Sequence, residues 1–477
     1  MKTKIFLLVL FLLTTQVVDA QIMFQRHYGG TADDYGCRVL QTDNGGYLVA
    51  AITESYGEGY RDIFLVRTNE FGDTIWTKTI GGTGGEQPNA LKVTNDNNFI
   101  IVGSTSSYGE GGYDVYFLKL NQNGDIIWAK TYGGILDEDG CDVIQTIDEG
   151  YLVVGTTMSY ATGFSSMYII KTDSVGDTLW TKTYEEKSAN TGISVIQLID
   201  GGYFIVGQTL LPGQMSTSDC YFVRTNVSGD TIWTKTFGGA DYDGAFEINK
   251  VAGGNIIISG TTKSYGQGGY DIFLSMVNTS GDEIWMKTYG GVDDDYGGMF
   301  SPSNDGGYII TGYTKSFGAG NQDMYLIKTN NSGDTLWTKT FGGNDNEWGG
   351  SVKQTSDNGF VVVGNTNSYG NGYDVYFVKT NSAGISGFAR IINENIECKV
   401  FPNPCFGFLN IESNITDNTD FNIDVYDISG KRMFEKKVST DESNMYSLDL
   451  TGLREGFYIL QLCFENKCVT KKLLIQK

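Results

Sequence analysis

The chain has 477 residues, a formal charge of −22, 64 Gly, only 5 Pro and a single His. So acidic a surface excludes nucleic acid as a partner, because phosphates need neutralising by Lys and Arg. With His27 alone, no Ser–His or Cys–His nucleophile, zinc site or histidine proton shuttle can be assembled.

Residues 1–20 read as an export signal. Lys2 and Lys4 make a basic start, residues 5–13 an apolar run, and Val18, Asp19 and Ala20 a cleavage site before Gln21. No other segment approaches about twenty apolar residues, so no transmembrane span is expected. No Cys follows the signal closely, which argues against a lipid anchor.

From there an aromatic position recurs at 51–53 residue intervals: Phe24, Trp76, Trp128, Trp180, Trp233, Trp285, Trp337 and Phe388. A repeat of this length, rich in Gly and β-formers, predicts an all-β, seven-bladed β-propeller over residues 21–391. Within the copy at 73–125, strands are expected at 73–80, 90–94, 99–105 and 115–120, joined by Gly, Asn and Asp turns. No segment beyond the signal keeps a 3.6-residue period, so helices should be nearly absent. One four-stranded sheet cannot bury both its faces, and the marker aromatics are expected between stacked blades. The N-terminal segment 21–28 matches only the marker strand. It is the better candidate to complete the last blade, because Gly384 and Gly387 weaken the copy at 384–390.

Let d be the marker strand and a, b and c the next three. Antiparallel succession puts the short a–b and c–d turns on one face of the ring and the longer d–a and b–c loops on the other. Function favours loops over a rigid scaffold. In the d–a loops the candidate ligand residues are Asp33, Asp34, Asp137, Asp139, Asp241, Asp243, Asp293, Asp294 and Asp295. Beside them Tyr56, Tyr108, Tyr265 and Tyr369 can stack on and hydrogen-bond a sugar. Solvated acidic loops and loop-packing tyrosines are the plain alternatives. The Asp before strand c (Asp62, Asp114, Asp219, Asp271, Asp323 and Asp374) recurs too regularly for a ligand site and should close its Gly-rich loop through backbone N–H groups. Oxygen-rich loops can hold Ca²⁺, yet none has the twelve-residue Ca²⁺-loop spacing, so neither metal nor cofactor is assigned. A negative field at the loop face suits a cation or a neutral glycan.

Cys37 and Cys141 occupy equivalent places two repeats apart and are expected as small buried apolar residues. Cys463 and Cys468 straddle a hairpin and can pair across it, while Cys398 and Cys405 flank a Pro-containing turn.

After a linker at 392–397 the repeat stops. Residues 398–477 contain Val400, Phe401, Pro402, Asn403 and Pro404, then Gly407 with Leu409, Asn410 and Ile411. Val425 and Tyr426 lead to Gly430 and Lys431, followed by Leu448 and Leu450, by Gly456, Phe457 and Tyr458, and by a basic–apolar run at 471–477. These pieces resemble the C-terminal sorting domain of the Bacteroidetes type IX secretion system, with Cys405 and Phe457 as departures. The resemblance implies a small β-sandwich recognised by the outer-membrane translocon, and delivery through the periplasm to the medium or the outer cell surface. An extracellular glycan or protein is the expected partner of the ring. The expectation is a secreted or surface-held binding module and not an enzyme. The rivals are a polysaccharide-active enzyme using loop carboxylates, and a passive surface protein.

Overall fold

The computed structural model describes residues 22–185, 189–210, 217–251, 253–370, 372–386, 398–413, 420–427, 431–439, 445–464 and 467–476. The expected export signal, the linker, Phe388 and Gly430 lie outside them. The described residues hold strands and turns and no helix. The chain divides into two compact units, one holding Ile22–Ala389 and the other the C-terminal segment Arg390–Lys477.

In the first blade, strands a (Asp34–Gln41), b (Tyr47–Thr53), c (Asp62–Thr68) and d (Thr74–Ile80) pair antiparallel in that order. Strands b and c are almost wholly buried, which explains their continuous apolar runs: neighbouring blades cover both faces. Strand d is the outer edge and mostly exposed, so Thr and Lys alternate along it. Five more blades repeat this plan. The seventh holds Glu347–Gln354, Phe360–Thr366 and Asp374–Thr380, and takes strand d from the N-terminal Phe24–Tyr28. Pairing runs from Phe24 opposite Lys379 to Tyr28 opposite Val375, so the N-terminal segment closes the ring.

Strand a differs from its sequence pattern. In the second blade it starts at Glu86, four residues before the apolar segment at 90–94. A bulge between Pro88 and Ala90 breaks the alternation, and all seven blades carry a bulge at this place. The first half of strand a therefore reads as loop while belonging to the sheet. The a strands pack side by side around a central channel, and the bulged residues Asn89, Cys141, Ile193, Phe246 and Gly350 line it.

The marker tryptophans lie between blades but are not fully buried. Phe24 is buried, but Trp76, Trp128, Trp180, Trp233, Trp285 and Trp337 are only half-buried, because strand d is an edge. Each lies against the c–d turn glycine of the next blade. A Cβ on Gly124 would meet the Trp76 ring at 2.6 Å, and Gly124 has φ +74°, so only glycine fits there. Two residues along strand d a Lys reaches the Asp of the same turn: Lys130 to Asp177 at 2.7 Å, Lys235 to Asp282 at 2.7 Å and Lys287 to Asp334 at 3.0 Å. The closing strand does the same with Arg26 and Asp73 at 3.2 Å.

The short-turn face is held from inside. Buried Lys171, Lys328 and Lys379 on strands c reach the a–b turn carboxylates Asp148, Asp305 and Asp357 at 2.9–3.0 Å. In the fifth blade Met276 stands in place of the cation and the turn carries Gly253, Gly254 and Asn255, so charge and partner are lost together.

In the tail, a three-stranded sheet (Cys398–Phe401, Phe408–Ser413, Met445–Asp449) and a four-stranded sheet ordered Arg432–Ser439, Asp420–Asp427, Gly456–Phe464, Lys467–Ile475 enclose one core. Leu409, Ile411, Val425, Leu448, Leu460 and Tyr458 belong to that core. Asn403 clamps the last strand: its Nδ2 donates to Lys472 O at 2.7 Å and its Oδ1 accepts from Leu474 N at 2.9 Å. Cys405 is a buried free thiol in this core. Cys463 and Cys468 stand opposite each other in register, with side chains outside the described residues.

Candidate ligand-binding site

Most acidic candidates are absorbed by the scaffold. Asp34, Asp243 and Asp295 begin strands a and are fully buried. Asp34 Oδ2 accepts from Gly30 N at 2.8 Å and Ser55 Oγ at 2.7 Å; Asp243 and Asp295 receive Gly239 N and Gly291 N at 2.7 and 2.6 Å. Longer Glu86, Glu138 and Glu347 fill the same place and take Thr105, Thr157 and Thr366 hydroxyls at 2.6 Å. Asp33, Asp137 and Asp294 clip blades together by accepting from Tyr373 N (2.9 Å), Tyr113 N (2.9 Å) and Tyr270 N (3.3 Å). Asp241 sits 3.8 Å from Lys263, and Asp293 is an exposed loop residue whose N–H bonds Ser316. Asp33, Asp34, Asp137, Asp243, Asp294 and Asp295 thus all accept hydrogen bonds of the scaffold.

The four tyrosines share a packing role. Tyr56, Tyr108, Tyr265 and Tyr369 donate their hydroxyls to the carbonyls of Gly29, Gly81, Gly238 and Gly342 at 2.7–3.1 Å, pinning each b–c loop to a d–a loop. The recurrent Asp before strand c closes its loop: Asp62 accepts from Gly59 N at 3.2 Å, Asp114 from Glu110 N at 2.8 Å and Asp271 from Gln267 N at 2.7 Å.

Asp139 alone among these candidates faces the channel mouth. That mouth is a cavity of about 610 Å³ on the long-loop face, with lining residues from every blade. Asn89 Nδ2 donates to Asp139 Oδ1 at 2.8 Å. Burial raises the Asp139 carboxyl to about 6, against hydrogen bonds from Ser104, Asn89 and Gln87 that favour the ionised form. Across the cavity stands an aromatic arc: Tyr296 stacks on Tyr313 at 5.8 Å and Tyr313 reaches Trp348 at 6.0 Å; the row of rings continues beyond the cavity lining from Trp348 to Tyr373 at 6.0 Å and from Tyr373 to Tyr35 at 5.5 Å. Trp348 is 38% exposed and so offers a free ring surface.

Below the mouth the channel narrows to a waist of about 40 Å³, where Arg38, Lys92, Asp142, Glu247 and Lys353 converge. Lys92 pairs with Asp142 at 3.1 Å and Lys353 stands 3.8 Å from Glu247. Arg38 lines both mouth and waist. Cys141 lines this channel and is the bulged residue of its strand, as Cys37 is of its own; burial pushes the Cys37 thiol up to about 11.

Residue-by-residue reading of one repeat misses this site, because it is made where the repeats differ. The second residue of strand a runs Tyr35, Gln87, Asp139, Thr191, Gly244, Tyr296, Trp348, whereas the first is acidic in every blade but one. Disagreement at an inward position was the available signal.

Residues 399–476 match the model of the secretion system C-terminal sorting domain. The tail is a sorting domain of this type. The chain is therefore type IX secretion cargo with a β-propeller fold, exported to the medium or the cell surface. No helix among the described residues is long and apolar enough to cross a membrane. No curated protein matches the sequence. Among solved structures, a protein of unknown function from Dyadobacter fermentans is 12% identical over 75% of this chain and 98% of its own, with a TM-score of 0.45. Puromycin hydrolase is 12% identical over 79% of this chain and 58% of its own, with a TM-score of 0.49. The β-propeller domain of the trilobed protease from Pyrococcus furiosus is 11% identical over 76% of this chain and 98% of its own, with a TM-score of 0.42. At such identities the likeness concerns the fold.

Proposed function

We propose that the ring is an extracellular binding module that is not an enzyme, and that its ligand, a glycan, enters the channel mouth on the long-loop face. The supporting observation is the aromatic arc of Tyr296, Tyr313 and Trp348 lining a cavity whose volume falls within the roughly 300–1,000 Å³ of small-molecule sites. Aromatic faces take up the apolar faces of sugar rings, and Asn89, Asp139 and Asn365 supply polar contacts for hydroxyls. Glycoside hydrolysis uses two opposed carboxylates, and Asp139 is the one carboxylate among the described residues lining this cavity. The reading therefore stops at binding. A glycan array probed with the full chain tests it: Trp348→Ala should weaken every hit by about 2 kcal/mol, a roughly thirtyfold loss, at unchanged melting temperature. Hits that survive both Trp348→Ala and Tyr313→Ala would place the ligand elsewhere.

A further inference from the structure

The waist of the channel has an unbalanced charge. Three cations, Arg38, Lys92 and Lys353, meet two carboxylates, Asp142 and Glu247, at the waist. Both lysines have a carboxylate within ion-pair reach. Among the described residues Arg38 has none: its Nη1 donates to the carbonyls of Cys37 at 3.0 Å and Gly350 at 3.5 Å. Asp139, on the third blade, is turned to Asn89 instead. A guanidinium presents five donors in a planar fork, and two backbone carbonyls on one nitrogen leave most of that fork unused.

Arg38 also forms part of the floor of the large mouth cavity, with Trp348 and Tyr313 on the same wall system. We propose that the mouth takes an acidic saccharide, a uronic acid within a glycan chain, whose carboxylate docks on Arg38 while its ring lies on the aromatic arc. This inference rests on the mouth being the binding site. The ligand carboxylate supplies the third negative charge that the waist lacks, in water-poor surroundings where a charge-assisted, two-point contact is strong. Of the loop acids, Asp34, Asp243 and Asp295 are buried in hydrogen bonds of the scaffold, and Asp139, the one carboxylate in the mouth, is engaged by Asn89. The local sign at the floor is thus opposite to that of the chain as a whole. Arg38 has this position because the bulge after Gly36 swings strand a of the first blade into the channel.

The test titrates the full chain with trigalacturonate and, separately, with its uncharged counterpart galactotriose, reading calorimetric heat and the part of the tryptophan fluorescence change that Trp348→Phe abolishes. Trigalacturonate should bind the more tightly. Arg38→Gln should weaken trigalacturonate about tenfold or more and leave galactotriose unchanged, as expected for loss of a hydrogen-bonded charge pair. Arg38→Lys, which keeps the charge but not the fork, should fall between. Melting curves of each variant separate loss of the contact from loss of the fold. Equal binding of the two sugars, with Arg38→Gln indifferent, overturns the carboxylate contact and leaves the mouth as a neutral-glycan site. Absence of binding by both sugars also overturns it, and the array with Trp348→Ala then decides the broader reading by itself.

Discussion

Gly29 lacks a side chain because two carboxylates occupy the space one would need: a Cβ there would meet Asp374 Oδ1 at 2.0 Å and Asp34 Oδ2 at 2.8 Å. The same arrangement recurs at Gly81, Gly133, Gly238, Gly290 and Gly342, each between a strand-c Asp and the acid that starts the next strand a. At the remaining blade junction Glu185 stands where the others have glycine, and there Ser166 and Asn190 replace the two acids. Ser166 Oγ donates to Glu185 Oε1 at 2.5 Å, so one carboxylate arriving by the loop replaces two from the strands. Pairing buried acids has a pH signature. Burial, reinforced by Asp295 in one case and by Asp34 and Asp33 in the other, raises Asp271 and Asp374 from 3.8 to about 6. A raised folded-state value means that the fold binds protons the unfolded chain has released. The stability is therefore full below 3.8 and is lost as pH rises through about 6. Asp305 has the opposite sign. Its burial is outweighed by Lys328 and Ser303, which hold it at about 2, so its contribution is lost only as pH falls through that value. Melting temperatures should fall between about pH 4 and about pH 7, and Asp271→Asn should flatten part of that fall. An unchanged slope in the variant would show that this pair does not titrate in the window.

At the scale of elements, each outer strand grips the next blade's c–d turn through a ring on a glycine and a cation on a carboxylate. The tyrosines add a further link where present: Tyr132 and Tyr289 donate to the carbonyls of Gly176 and Gly333 at 2.5 and 2.6 Å. The repeat is thus defined less by one blade than by the contact between two, which is how stacked repeats acquire stability. Because Trp76 is half-buried, Trp76→Ala should cost about 2–4 kcal/mol, somewhat below the usual core value. Gly124→Ala should cost about 1–3 kcal/mol from strain at positive φ and collision with that ring. In the double variant the collision has gone, so the costs should sum to more than the measured total. Denaturant melts of the four chains give the coupling, and strict additivity would show that ring and turn act separately.

At the scale of the whole molecule, the ring is held shut by main-chain pairing of its first strand with its last blade, while the address sits in a separate compact unit. Deleting residues 398–477 should leave the circular dichroism and melting of the ring nearly unchanged and strand the protein in the periplasm. Surface display of the truncated chain would overturn the role of the tail. Removing residues 22–28 should do the reverse: it leaves the sorting tail intact but exposes the edge of strand Asp374–Thr380, favouring association through that edge.

Blade number, strand content, ring closure and the sorting tail were legible in the sequence, because each depends on short-range pattern. A period near 52 residues, a large aromatic on every edge strand, glycine at every c–d turn and the Asn403 motif are all local signals. The binding cavity is not local. Arg38, Asp139, Tyr296, Tyr313 and Trp348 are separated by up to some three hundred residues and meet only because closure brings seven inner strands around one channel. The bulge that turns Arg38 inward is likewise invisible as pattern, since it interrupts the alternation by which strands are recognised. Which acids are free was decided by tertiary structure too: identical Asp residues are scaffold at the start of strand a and channel wall one position later, as Asp34 and Asp139 show.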